Sequence, residues 1–117
     1  MISDEELVER AEKVVRSCGP MKEQEAHTQA SRAMEAAAGG PRVFKNWLAY
    51  QQARTDFWRI RCEGINLGER LAKEIDRLAK DCSGDELERA MRRFVGFFRR
   101  ALVGREYLDK VVTMRER

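Results

Sequence analysis

Apolar residues recur at helical intervals along most of this chain. Leu7, Val8, Ala11, Val14, Val15 and Cys18 fall at i, i+1, i+4, i+7, i+8 and i+11, the stripe of an amphipathic helix over about residues 4–17. Ser3 followed by Glu6 predicts a capping box, in which the hydroxyl accepts from a free helix N–H and Glu6 reaches back. Gly19-Pro20 stops that helix. A second segment, 21–38, carries Met21, Ala26, Ala30, Ala33, Met34 and Ala37, and its small apolar side chains let a neighbouring helix pack close. Gly39-Gly40-Pro41 is the strongest break in the chain, and Pro41 suits the first turn of a new helix, where its missing N–H is not needed.

The third segment, 42–62, holds both tryptophans. Val43, Phe44, Trp47, Tyr50, Trp58 and Arg61 share a broad face with Arg54. Leu67, Leu71, Ile75 and Leu78 predict a further helix over 66–80. Gly64 and Gly68 weaken a helix without forbidding it, so 42–80 reads either as one long helix or as two. Cys82-Ser83-Gly84-Asp85 is a short connector, and Ser83 with Glu86 predicts a second capping box. The last helix is expected over 85–105, with an extension to 113, and the closing MRER is expected to fray.

That last helix has two opposed faces. At about 100° per residue, Leu87, Ala90, Met91, Phe94, Phe97, Phe98, Ala101, Leu102 and Leu108 fall in one arc, and Arg89, Arg92, Arg93, Arg99 and Arg100 fall in the other. The apolar arc is expected to anchor a core. The arginine arc has few acids to neutralise it between Glu88 and Glu106. With short connections and no strand-length alternation, the chain reads as all-α, a compact bundle of four to five helices forming a single helical domain over 1–117.

Charge sharpens this picture. Residues 1–40 carry 5 basic and 8 acidic side chains, while 41–117 carry 18 basic and 12 acidic, so a mild total of +3 conceals an acidic first third and a basic remainder. The basic set is 17 Arg against 6 Lys. Arginine is always charged, and its planar fork grips phosphate at two points. Such a wall suits nucleic acid or an acidic protein, although a surface rich in Arg and Glu also forms plain ion-pair networks.

Other chemistry is sparse. Cys18, Cys62 and Cys82 are odd in number and share no short spacing, so the expectation is free thiols in a reducing cytosol, with neither disulfide framework nor zinc site. No apolar run is long enough to span a membrane, and the acidic start, MISDEELVER, does not read as a signal peptide. A cytoplasmic protein is therefore expected. His27 stands alone near a helix start, as a surface residue does. No nucleophile motif or glycine-rich phosphate loop is present, and no catalytic residue, cofactor or metal is expected.

Two readings of Arg54 compete: a salt bridge to a neighbouring helix, or a phosphate contact framed by Tyr50 and Trp58. The arginines of the last helix, repeating on successive turns, can follow a phosphate backbone and give salt-sensitive binding that does not read sequence. The nucleic-acid-binding set expected from the residues is thus Arg54, Arg89, Arg92, Arg93, Arg99 and Arg100. Trp47, Trp58 and the phenylalanines recur at helical spacing and read as core.

Two segments, VFKNWLAYQQAR and FVGFFRRALVGREYL, resemble the small helical subunit of type III-A CRISPR interference complexes, the Csm effector. The likeness runs over about 4–110. It begins with the AEKVV helix (Ala11 to Val15), passes through the LAY…R element (Leu48, Ala49, Tyr50 and Arg54), and ends in Ala101, Leu102, Val103 and Gly104. The chain departs from the pattern at Gln29-Ala30-Ser31-Arg32, one residue longer than the family's glutamine–x–arginine element, and at Arg105-Glu106, where the family closes on Tyr-His. The resemblance implies a non-catalytic subunit that stacks along a guide RNA–target RNA duplex beside other effector-complex subunits, self-associates, and leaves cleavage to its neighbours. The acidic first helix would then face a basic neighbour. Two other readings are a helical protein–protein adaptor or a DNA-binding regulator, for which preference for one duplex sequence is the discriminator. A helical mutase, holding a dianion with arginines such as Arg54, is the enzymatic reading.

Overall fold

The first helix begins where its cap predicts. Ser3 Oγ accepts from the Glu6 N–H at 3.1 Å, and α1 runs Asp4–Ser17. Only that half of the capping box forms as expected: the Glu6 carboxylate takes the Arg10 guanidinium at 2.6 Å instead. Residues 2–112 are described by the structure, a computed structural model. Among them, α2 spans Glu23–Ala37, α3 Pro41–Arg54, α4 Leu67–Asp81, α5 Gly84–Val103 and the short α6 Leu108–Val111. A two-stranded antiparallel hairpin, β1 (Arg61–Cys62) and β2 (Ile65–Asn66), lies between α3 and α4. The protein is predominantly α-helical and compact, with more helices than the four to five expected and with a hairpin that periodicity did not announce. The expected fraying of MRER falls on 114–117, outside the described residues.

α5 packs most extensively against α1 and α2. Its Ala90, Met91, Phe94, Val95, Phe98, Ala101 and Leu102 are buried. The alanines of α2, Ala26, Ala30, Ala33 and Ala37, are all buried too, which is the close packing their size allows. Phe97 is only half-buried. α5 ends at Val103 rather than reaching 113. Gly104 caps it, and a 3-10 turn over Arg105–Tyr107 leads into α6. Ser83 occupies the cap position of α5, but its side chain makes no cap hydrogen bond, so the second capping box does not form.

The 42–80 segment is two helices. Thr55 turns extended (φ −133°, ψ 144°) and ends α3, and a 3-10 turn over Phe57–Arg59 then drives Phe57 and Trp58 fully into the core. There the Trp58 indole Nε1 donates to Gln29 Oε1 of α2 at 3.0 Å, in a buried contact. The hairpin turn follows at Glu63 (φ 53°) and Gly64 (φ 90°), a two-residue reversal with both residues left-handed. The buried face of α3 is Phe44, Leu48 and Gln51, whereas Val43 and Tyr50 are exposed. The aromatic arc read from the sequence is therefore split: Phe44 and, in part, Trp47 face the core, while Val43 and Tyr50 face solvent.

The hairpin also corrects the cysteine expectation. Gly19 N–H donates to Arg61 O at 2.9 Å, Cys18 forms a β-bridge with Cys62, and these two cysteines are disulfide-bonded. Their sequence separation of 44 gave no sign of that contact. Arg105 donates to the carbonyls of Gly19 (2.8 Å) and Cys18, tying the end of α5 to the same corner. Cys82 is the free cysteine, and it is buried. Burial, with Glu86 and Asp81 nearby, pushes its thiol pKa up.

Two outcomes follow. Closing a loop of that length restricts the unfolded chain, by a chain-entropy estimate of about 4 kcal/mol. Cys62→Ser should therefore lower the unfolding free energy in guanidinium by up to about this amount. A thiol titration of the unreduced, unfolded chain should find only Cys82, and in the native state that thiol should react slowly at pH 8, because a raised pKa leaves it protonated. Separately, Gln29→Met strands a buried indole N–H and should reduce stability by about 1–3 kcal/mol, and the loss should shrink in a Trp58→Phe background.

Candidate anion-binding surfaces

α5 sets the first surface. Burial of its apolar arc turns Arg89, Arg92, Arg93, Arg99 and Arg100 outward, and all five are exposed. They are not equivalent. Arg93 Nε donates to Asp4 of α1 at 2.8 Å, and Arg92 lies 3.8 Å from Glu88. Arg100 lies over the Phe97 ring, 5.6 Å from its centroid. Arg89 and Arg99 have no acidic partner among the described residues. The structure thus sorts the ladder: Arg92 and Arg93 meet acids, while Arg89, Arg99 and Arg100 form no salt bridge among the described residues. At about 1.5 Å rise per residue, Arg89 and Arg99 stand about 15 Å apart along the helix.

Arg54 belongs to a second surface. It sits exposed at the end of α3, its guanidinium 5.3 Å from the centre of the Tyr50 ring, and it makes no salt bridge among the described residues. Trp58, expected beside it, is fully buried elsewhere, so Tyr50 remains and Trp58 does not frame it. An open cleft of about 550 Å³ between α2 and α3 is lined by Arg32, Glu35, Ala36, Trp47, Gln51 and Arg54. Gln51 is 4% exposed, and its Oε1 is buried with no hydrogen-bond partner. α2 packs against both α3 and α5, and α3 also touches α5, so the cleft is built on helices that adjoin the ladder helix.

Sequence reasoning missed Arg32, Trp47 and Gln51 as members of a site. One signal was available for Gln51, an amide at the i+7 position of the stripe that Phe44 and Leu48 begin. Arg105 was read as a departure from a family pattern, and its contacts with the Cys18 and Gly19 carbonyls give it a structural role.

Several other charged groups pair within the fold. Arg10 bridges Glu6 (2.6 Å) and Asp81 (3.0 Å), joining α1 to α4. The buried Glu74 accepts from Arg77 at 3.1 Å, and Lys45 meets Asp76 at 2.5 Å. His27 is exposed. Among the described residues, no group of three or more His, Cys, Asp or Glu side chains is placed to hold a metal ion, and no helix is long and apolar enough to cross a membrane.

Fold and surfaces together define a small helical protein with exposed arginines along α5 and at the α2–α3 cleft. No family model, curated protein or solved structure matches the chain.

The pairing pattern sets an order of stability effects. Arg93→Ala removes an exposed contact to Asp4 and should lower stability by about 0.2–1 kcal/mol, whereas Arg99→Ala should stay within about 0.5 kcal/mol. Thermal melts of the two variants at low and high salt check this, with the Arg93 difference shrinking as salt rises.

Proposed function

We propose that this chain is the non-catalytic small subunit of a type III-A CRISPR interference complex, and that it holds RNA by its phosphate backbone without reading sequence. The observation that carries the reading is the outward face of α5. Arg89 and Arg99 point to solvent without acidic partners, and Arg100 is steadied on the Phe97 ring beside them. A rigid row of guanidinium groups spaced by helical turns suits a repeating anion, since each contact releases counterions and none touches a base edge. Phe94 and Phe98, on the opposite face of α5, are fully buried and leave no stacking platform there.

RNA, rather than another polyanion, enters through the likeness of the VFKNWLAYQQAR and FVGFFRRALVGREYL segments to that family. On this reading other subunits cleave, and the small subunit supports the guide–target duplex and self-associates along it. Arg92 and Arg93 contribute less than their neighbours, because Glu88 and Asp4 already hold them.

Fluorescence anisotropy with RNAs of unrelated sequence tests the proposal. The triple variant Arg89→Ala/Arg99→Ala/Arg100→Ala should lose at least about tenfold in affinity at low salt, equally for each RNA. Its dependence of log Kd on log salt should flatten by about 2, as expected for three lost phosphate contacts. Unchanged binding by the triple variant would refute the assignment. Co-purification of the wild-type chain with a small RNA and with the backbone subunits tests membership of the complex.

A further inference from the structure

The cleft between α2 and α3 has features that an arginine row does not need. Its Gln51 side chain is buried on the same helical stripe as Phe44 and Leu48, yet the amide oxygen has no partner. A buried, unpaired amide is unfavourable for folding, and a leucine at the same place would serve the core better. Gln51 also lines the cleft, so this amide belongs to the buried floor beneath it.

Three further features surround that amide. The Trp47 indole is half-buried and is held from behind, stacked at 13° with Phe44 (centroids 6.0 Å apart) and edge-on to Trp58 (5.4 Å). It is therefore a rigid aromatic surface at the cleft. Arg54 is steadied over Tyr50, and Arg32 reaches the same cleft from α2. Neither arginine forms a salt bridge among the described residues, and the two outnumber Glu35, the one acid in the lining.

A ring held by its neighbours, a buried amide whose oxygen has no partner, and two guanidinium groups without a salt bridge match one kind of ligand: a planar heterocycle with polar edges, joined to an anion. We propose that this cleft binds a single nucleotide unit. Its base lies on Trp47 with an edge to Gln51, and its phosphate is held by Arg54 and Arg32. Stacking on an aromatic residue with phosphate held by cations is the general mode for unpaired nucleotides. The unit has two sources, a free nucleoside monophosphate or an unstacked nucleotide of a single-stranded RNA. Arg32 also lines a neighbouring cleft with Lys22, which gives a strand a place for its next phosphate. The site goes beyond the α5 reading and does not depend on it, since the two surfaces share no residue.

The test is calorimetric titration of the intact chain with the four nucleoside 5′-monophosphates, with inorganic phosphate, and with a single-stranded RNA hexamer, alongside Gln51→Leu, Arg54→Ala and the α5 triple variant. Nucleotides or hexamer should bind more tightly than inorganic phosphate. Gln51→Leu should weaken that binding about tenfold while leaving the melting temperature unchanged or higher. Arg54→Ala, a surface change that cannot disturb the core, should weaken it by a similar factor. The α5 triple variant should leave mononucleotide binding intact. Binding of mononucleotides identifies the free-ligand source, and binding of the hexamer alone identifies the strand. The proposal is overturned if neither binds better than phosphate, if Gln51→Leu and Arg54→Ala bind like the wild type, or if Gln51→Leu lowers the melting temperature.

Discussion

α5 buries Met91, Phe94 and Phe98 in the core that it forms with α1 and α2, and α2 brings to that core a surface of alanines. Ala26, Ala30, Ala33 and Ala37 keep the side of α2 low, so large side chains from the adjoining helix fill the space between the two backbones. The rest of the molecule depends on that arrangement. With α1 on the same helix, most of the apolar arc of α5 is occupied, and each deeply buried aromatic contributes about 1.5–3 kcal/mol through removal from water. The polar arc is then turned to solvent.

Charge follows from that packing. The acidic first helix uses part of its charge internally: Asp4 holds Arg93, and Glu6 holds Arg10, which also reaches Asp81. Those two acids are engaged within the chain rather than free for a neighbouring subunit. The pairs are partly exposed and contribute modestly to stability, but they sort the arginines of α5 into held and unheld members. The total charge of +3 is therefore a poor guide to the surface, because it does not show which arginines are held: Arg92 and Arg93 meet acids, while Arg89, Arg99 and, at the cleft, Arg32 and Arg54 form no salt bridge among the described residues.

Much of the helical layout was legible in the sequence. Apolar spacing placed α1, α2 and α4 closely, since each has one clean stripe and a strong stop. Periodicity failed around residues 55–66, where Phe57 and Trp58 are buried by a 3-10 turn that has no long repeat, and where a Glu-Gly pair makes a reversal more often made by Asn-Gly. The disulfide was hidden because it depends on a strand pairing between distant segments. The ladder was legible as a face but not in its pairing, since Asp4 is far from Arg93 in sequence. The cleft was not legible at all, because it needs Arg32 from one helix and Trp47, Gln51 and Arg54 from another.

The bond between Cys18 and Cys62 also draws a boundary within the molecule. The chain from 18 to 62 is a closed ring that contains α2, α3 and every residue lining the Trp47 cleft, while the arginines of α5 lie on the open chain beyond it. A backbone cut anywhere inside the ring leaves one covalent molecule, whereas a cut after it separates the ladder from the cleft. The two cationic surfaces are thus different objects topologically, one on a loop and one on a tail, and limited proteolysis can separate them while the bond is intact.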